Sequence, residues 1–229
     1  MKFFDHPRVL AFTSDAEIDF TPLDFDEPLS EGQHAYLKVE AGRDIAQVFW
    51  RQQVHGDNII WAKGEPGDCR LHPDADAFVT NQIGLPIAIR TADCVPVFIF
   101  DPVKKVAGLV HAGWKGTAQR IAEKTVHKME ALFNCWPRDL KVVLGPAIRS
   151  CCYQVGPEFQ QHFPNDVSER EGKLYLDMMA ANQRQLIRTG ILKENILDSS
   201  ICTACSTDCF SFRREGEKAG RMISLMVLL

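Results

Sequence analysis

Residues 90–100 read RTADCVPVFIF. The run Val95, Val97, Phe98, Ile99, Phe100 is β-branched and aromatic and is bounded by turn residues, which predicts a short buried strand. A cysteine, Cys94, sits beside Asp93 on the lip of that strand. A thiol there can pack, act as a nucleophile or bind a metal. Strand-like runs also appear at 46–50 (AQVFW), 58–62, 86–90, 106–110, 140–144, 196–201 and 221–228. Helical spacing marks 117–133, with Thr117 as N-cap, and 176–189, with Gly190 just beyond its end. Strands outnumber helices and no sustained βαβ alternation appears. The expected class is therefore α/β (α+β): mixed sheets in a layered arrangement flanked by helices. Residues 13–45, acidic and turn-rich, read as irregular entry structure. No linker divides the chain, so one domain over 1–229 is expected.

The chain has 229 residues, 45% of them hydrophobic and 24% charged, with net charge -4, so nothing in it resembles a basic nucleic-acid-binding arm. The C-terminal apolar run from Met222 is too short to span a bilayer. At the N-terminus, Asp5, His6 and Arg8 interrupt what a signal peptide would need as an apolar core. A cytoplasmic protein is expected, with its 8 cysteines reduced.

Two histidines share the punctuation of Cys94. His55 follows the run 46–50 in RQQVHGDN, and His111 follows 106–110 in LVHAGWKG. All three stand at strand ends, where loops leave a rigid scaffold. Two His and one Cys suit zinc with an open fourth position, although each alone is as readily a packed residue. The turn Gly113-Trp114-Lys115-Gly116-Thr117 opens a helix and could offer N–H groups to a phosphate, or simply be a tight turn. Arg213 and Arg214, with Arg221 further on, could grip an oxyanion or occupy a solvated hairpin turn. Cys202, Cys205 and Cys209 could hold a structural zinc or an iron–sulfur site only if Cys151-Cys152 completed the set; otherwise they pack or serve as a functional Cys-Thr pair.

The segments QVHG (53–56), DADAFVTN (74–81), TADCVPVFIFD (91–101), HAGWKG (111–116), LGPAI (144–148), CYQVG (152–156), FSFRR (210–214) and GR (220–221) occur in this order. Together they resemble the YfiH family, laccase-domain proteins also described as purine nucleoside phosphorylases. The match covers about 46–229. The resemblance implies a zinc site at His55, Cys94 and His111, and a layered fold sometimes grouped with cysteine hydrolases. It also implies phosphorolysis of adenosine, inosine and methylthioadenosine, with adenosine deamination beside it, in a monomer or homodimer that takes a nucleoside and phosphate. An older assignment for the family, copper-dependent polyphenol oxidation, needs a further cluster of histidines. The chain has 7 histidines in all, and those outside the three stations share no motif. A cysteine hydrolase would use Cys94 as nucleophile with His111 or His55 as base. Asp93 is the expected partner that orients a ligand or a substrate hydroxyl. The chain departs from the family pattern at Gln154 and Ala147. A helix-bearing stretch before residue 46 also looks shortened.

Overall fold

A computed structural model describes residues 1–21 and 29–229; Pro22 to Pro28, within the acidic entry segment, lie outside the described residues. The first half carries β1 (Lys2–Phe3), β2 (Val9–Thr13), α1 (Glu31–Ala41), β3 (Ile59–Trp61), β4 (Ala77–Thr80) and β5 (Ile87–Thr91). Then come β6 (Val95–Asp101), β7 (Val106–Ala112), α2 (Trp114–Ala118), α3 (Ile121–Phe133) and β8 (Lys141–Leu144). The remainder holds β9 (Gln154–Val155), α4 (Phe159–His162), β10 (Val167–Arg170), β11 (Lys173–Leu176) and α5 (Met178–Arg188). β12 (Ile196–Asp198), α6 (Phe212–Glu215) and β13 (Met222–Leu228) complete the order.

Six strands form a mixed sheet in the order β12-β8-β6-β7-β4-β3, and four more form a sheet β1-β2-β13-β5. The apolar run that opened the sequence analysis is β6, at the centre of the larger sheet. Its side chains alternate between two cores. Val95, Val97 and Ile99 meet Ile121, Val126 and Met129 of α3 and Leu186 of α5. Phe98 and Phe100 point the other way, to Phe12, Ile87, Ile89 and Leu225 of the smaller sheet. The result is helices, sheet and sheet in three layers, with β6 apolar on both faces because both faces are covered. Truncating the fully buried Phe98 to alanine should cost on the order of 3–5 kcal/mol. Among the described residues, no helix is long and apolar enough to cross a membrane.

Several expectations need correction. The stretch 46–50 is buried at Val48, Phe49 and Trp50, but it makes one bridge, Phe49 to Ile87, rather than a strand. The entry segment is not wholly irregular. Ser30 and Gln33 form a capping box that starts α1, and Gly42, in the left-handed region, ends it. The stretch that looked shortened before residue 46 therefore carries a helix of its own. Helix 117–133 is two helices broken at Gln119-Arg120, with Arg120 left-handed. Thr117 is not a cap. Asn182 of α5 donates to its hydroxyl at 3.1 Å and Gln185 to its carbonyl at 2.9 Å. The stretch 176–189 forms as expected, capped by Asp177 and followed by left-handed Gly190.

Candidate metal centre and its pocket

The β6–β7 hairpin register puts Pro96 opposite His111. Cys94 stands two residues before Pro96, so the period-two alternation brings it to the face of His111. On the other side, β4 pairs with β7 as Ala77 to Val110, and the His111 N–H donates to the Asp76 carbonyl at 2.7 Å. Asp76 is thereby fixed beside the histidine. Its carboxylate then gathers the third station, accepting the N–H groups of Val54, His55 and Gly56 at 3.2, 3.0 and 2.8 Å. His55 lies at φ 59°, a tight bend that those bonds hold. The Gln53 side chain pins the loop base, both accepting from and donating to the Arg90 backbone at 2.8 Å.

One ligand atom from each of His55, Cys94 and His111 lies within 4.8 Å of the others. The two imidazole rings are 4.9 Å apart. His111 is buried, Cys94 half-buried and His55 exposed, so the group opens toward solvent on the His55 side. Asp76, fully buried, accepts from His111 Nδ1 at 2.7 Å, which leaves Nε2 as the nitrogen available to a metal. Burial pushes the Cys94 thiol up, but the charge and hydrogen bond of His111 and a hydrogen bond from His55 outweigh it and hold the thiol low. Burial likewise pushes His111 down, and the Cys94 thiolate and Asp76 more than reverse it. A Cβ on Gly113 would come within 2.9 Å of the His55 ring and 3.1 Å of Cys94 Sγ, and one on Gly116 within 2.9 Å of the Gly56 carbonyl. Those glycines are spacers around the ligand set. Two imidazoles and a thiolate with a free side suit a borderline-soft divalent ion.

The other expected residues disperse. The Asp93 carboxylate accepts from the Thr203 hydroxyl and the Arg213 backbone N–H, both at 2.6 Å, so it ties down the C-terminal loop. The carboxylate that orients the His111 ring is Asp76. Arg213 and Arg214 lie in the short helix α6 rather than a hairpin. Arg214 is a loop clamp, donating to the carbonyls of Thr203 at 2.8 Å, Ser206 at 2.7 Å and Cys209 at 2.5 Å, and pairing with Glu215. Arg221 donates to the carbonyls of Ala219 and Gly220. Arg213 is exposed, lies 5.2 Å over the Tyr153 ring and donates to the Gln154 carbonyl at 3.0 Å. Lys115 is exposed over Trp114, whose ring packs on Phe159 at 4.9 Å. The helix that the 113–117 turn opens is only five residues long, too short for a strong dipole end. Cys209 is buried and lines a cleft of about 580 Å³ with Ser14, Asp15 and Glu17, apart from the other C-terminal cysteines.

Residue-level reading missed Asp76 and Tyr153. Both lie inside quoted motifs, DADAFVTN and CYQVG. The signal for Asp76 was a carboxylate one residue ahead of a strand-like run. Burial pushes the Tyr153 hydroxyl up, and the Cys94 thiolate adds to this while Arg213 pulls it back. The phenol thus feels both the Cys94 thiolate and the arginine that lies over its ring.

A sequence model of the family described as multi-copper polyphenol oxidoreductase laccase matches residues 26–229. The crystal structure of YfiH from Bacillus licheniformis superposes with a TM-score of 0.86 at 27% identity, covering 100% of this chain and 99% of that one. The chain belongs to the YfiH family. YlmD from Geobacillus stearothermophilus is a second solved member, with a TM-score of 0.84 at 26% identity over 97% of this chain and 92% of that one. Among YfiH-family relatives by sequence, a purine nucleoside phosphorylase of Clostridium acetobutylicum is 34% identical over 90% of this chain and 87% of its own. One of Aquifex aeolicus is 37% identical over 89% and 99%. The YfiH-family relatives are thus named as enzymes acting on small molecules, and the His/Cys/His group is a metal-capable feature of this chain, with Cys94 and His111 at strand ends and His55 in a loop.

Proposed function

We propose that the protein is a zinc-dependent purine nucleoside phosphorylase. Its substrates are adenosine, inosine and methylthioadenosine, and adenosine deamination is a second reaction of the same pocket. The observation that carries this reading is the His55, Cys94, His111 group, oriented by Asp76 and open on one side, in a chain whose relatives bear that name. In phosphorolysis the bond between the purine and C1′ breaks and a phosphate oxygen bonds to C1′. The base leaves with the bonding electrons, and the proton that phosphate brings ends on the base. His55, Cys94 and His111 would hold the zinc, which would supply Lewis acidity and make a water acidic enough for deamination. Asp76 holds the proton on His111 Nδ1 and fixes the ring. Tyr153, whose ring lies under Arg213 and whose hydroxyl feels the Cys94 thiolate, is the wall we assign to the pocket. Arg213, exposed beyond that wall and with only Nη1 given to the carbonyls of Cys152 and Gln154, is the group we assign to phosphate, in place of Arg214, whose three guanidinium nitrogens are all bonded within the protein, and Arg221, which is half-buried against the Ala219 and Gly220 carbonyls.

Copper at the same residues is the weaker choice. Among the described residues, the metal-capable groups are this one and a cysteine cluster, with no further set of histidines. One observation favours a second reading: the depressed Cys94 thiol, the raised His111 and the Asp76 behind it have the polarity of a thiolate–imidazolium pair, as in a cysteine hydrolase. A single assay separates these readings. Protein is given adenosine or inosine with and without phosphate, before and after chelation. Free base and ribose 1-phosphate that require phosphate, and vanish on chelation, are the expected result. Activity that survives chelation but not iodoacetamide would establish the hydrolase. Turnover of a phenol alone, after copper is added, would establish the oxidase.

A further inference from the structure

A second sulfur cluster lies apart from His55, Cys94 and His111. The Sγ atoms of Cys151, Cys152, Cys202 and Cys205 all lie within 4.8 Å of one another. Cys205 Sγ is 3.8 Å from Cys151 Sγ and 3.3 Å from Cys152 Sγ. The fold brings them together from segments about fifty residues apart. β8 and β12 are parallel neighbours, with Asp198 beside Leu144, so both chains leave the sheet at the same end. The pairing continues as a bridge between Ala147 and Cys202, which sets the 149–152 turn beside the 202–205 turn. The latter is a tight knuckle in which the N–H groups of Cys205 and Ser206 both reach the Cys202 carbonyl.

We propose that these four cysteines bind a single thiophilic divalent ion, zinc in the first instance, as a closed tetrathiolate site. Three features carry this. The spacing matches: zinc–sulfur bonds of about 2.3 Å in a tetrahedron put the sulfurs about 3.8 Å apart. An iron–sulfur cluster binds its four thiolates on separate irons or in separated pairs, which a mutual limit of 4.8 Å does not accommodate. Packing is a poor account, because Cys151 and Cys205 are exposed, whereas the chain's packed thiols Cys69, Cys135 and Cys209 are buried.

With all four positions filled by protein, this ion takes no part in chemistry. It ties two turns together, and each turn carries a wall of the pocket. Tyr153 follows Cys152 directly. Thr203, between Cys202 and Cys205, donates to Asp93 beside Cys94.

The test is metal analysis of the full-length protein purified without chelator or added metal, for the wild type, Cys205→Ser and Cys94→Ser. Two zinc ions per chain are expected in the wild type and one in Cys205→Ser. The ion lost from Cys205→Ser is the tetrathiolate one, so Cys94→Ser should retain it. Should Cys205→Ser fail to fold, cobalt replacement in the wild type gives the same answer. Intense sulfur-to-cobalt charge transfer with the strong visible bands of a four-sulfur tetrahedron is expected, in Cys94→Ser as well. Equal metal content in wild type and Cys205→Ser, no tetrathiolate cobalt spectrum, or disulfides among the four cysteines after anaerobic purification would each overturn the site.

Discussion

Two sulfur-bearing corners stand at the same end of the six-stranded sheet, and they are built in opposite ways. The His55, Cys94, His111 corner is held from behind. Two of its residues sit on a buried hairpin, and the third is fastened by the Asp76 carboxylate, which accepts three N–H groups and a ring nitrogen. The Cys151, Cys152, Cys202, Cys205 corner rests on two surface turns, where the thiols contact one another. One corner is shaped by the scaffold and keeps its form for a ligand. The other needs its ligand to hold its form.

The sharpest way to break this contrast is at Asp76. Asp76→Ala removes a fully buried acceptor from four donors, among them the buried His111 ring, with an expected loss on the order of 3–5 kcal/mol. At about 2–4 °C per kcal/mol for a chain of this size, that is a melting temperature roughly 10 °C lower, together with loss of metal at the first corner. A shift of only a degree or two would mean the scaffold does not shape that corner. The second corner should respond to its ligand instead. Chelating the wild type should lower the melting temperature by about 5 °C, or about 2 kcal/mol. Chelating Cys205→Ser should lower it much less; equal shifts would place the stabilising ion at the first corner.

Arginine substitutions sharpen the comparison by function. Arg213→Ala should raise the phosphate KM up to about thirtyfold, the equivalent of about 2 kcal/mol, with little change in melting. Arg214→Ala should do the reverse, because that side chain holds the carbonyls of Thr203, Ser206 and Cys209. Matching kinetic effects in the two variants would contradict the assignment. The smallest effect is expected at Asp198, which flanks the second corner. Burial pushes its carboxyl up, but the two-pronged bond from Arg149 and the Ser200 N–H outweigh it and hold it below the usual carboxylate value. Its contribution is therefore present above the ordinary carboxylate pKa and lost as pH falls through the lower folded value. Since the pair is partly exposed, Asp198→Asn should cost less than about 1 kcal/mol at pH 7. The gap in melting temperature from wild type should close toward pH 3.

The central sheet was legible because β6 and β7 are buried on both faces, so their residues form nearly unbroken apolar runs. Cys94 and His111 were legible as strand-end residues; His55 was singled out on the same ground, but it lies in a loop that follows no strand and is held by Asp76. Asp76 was not, since its importance comes from the β4–β7 register, which sequence spacing does not reveal. The clamp role of Arg214 was hidden for a related reason: its partners are carbonyls, and any residue type can supply one. The α1 helix was missed although Ser30 and Gln33 announce a capping box, because the acidic, proline-bearing residues ahead of it set the reading of the whole segment. The left-handed break at Arg120 leaves no mark in the apolar spacing of residues 121–133.

The place of β13 bears on the order in which the protein assembles as it is made. β13 lies between β2 and β5, and Thr13 of β2 meets Ser224 of β13 at 2.8 Å across 211 residues of chain. At about 5–20 residues per second, β2 emerges from the ribosome roughly 10–40 s before its partner exists. During that interval β2 and β5 each present an unpaired edge, the kind of surface that recruits strands from other chains. Sequestration of the nascent N-terminal half by a holdase would shorten that exposure. Slowing translation of the last third of the message should lower the soluble yield more than slowing the first third.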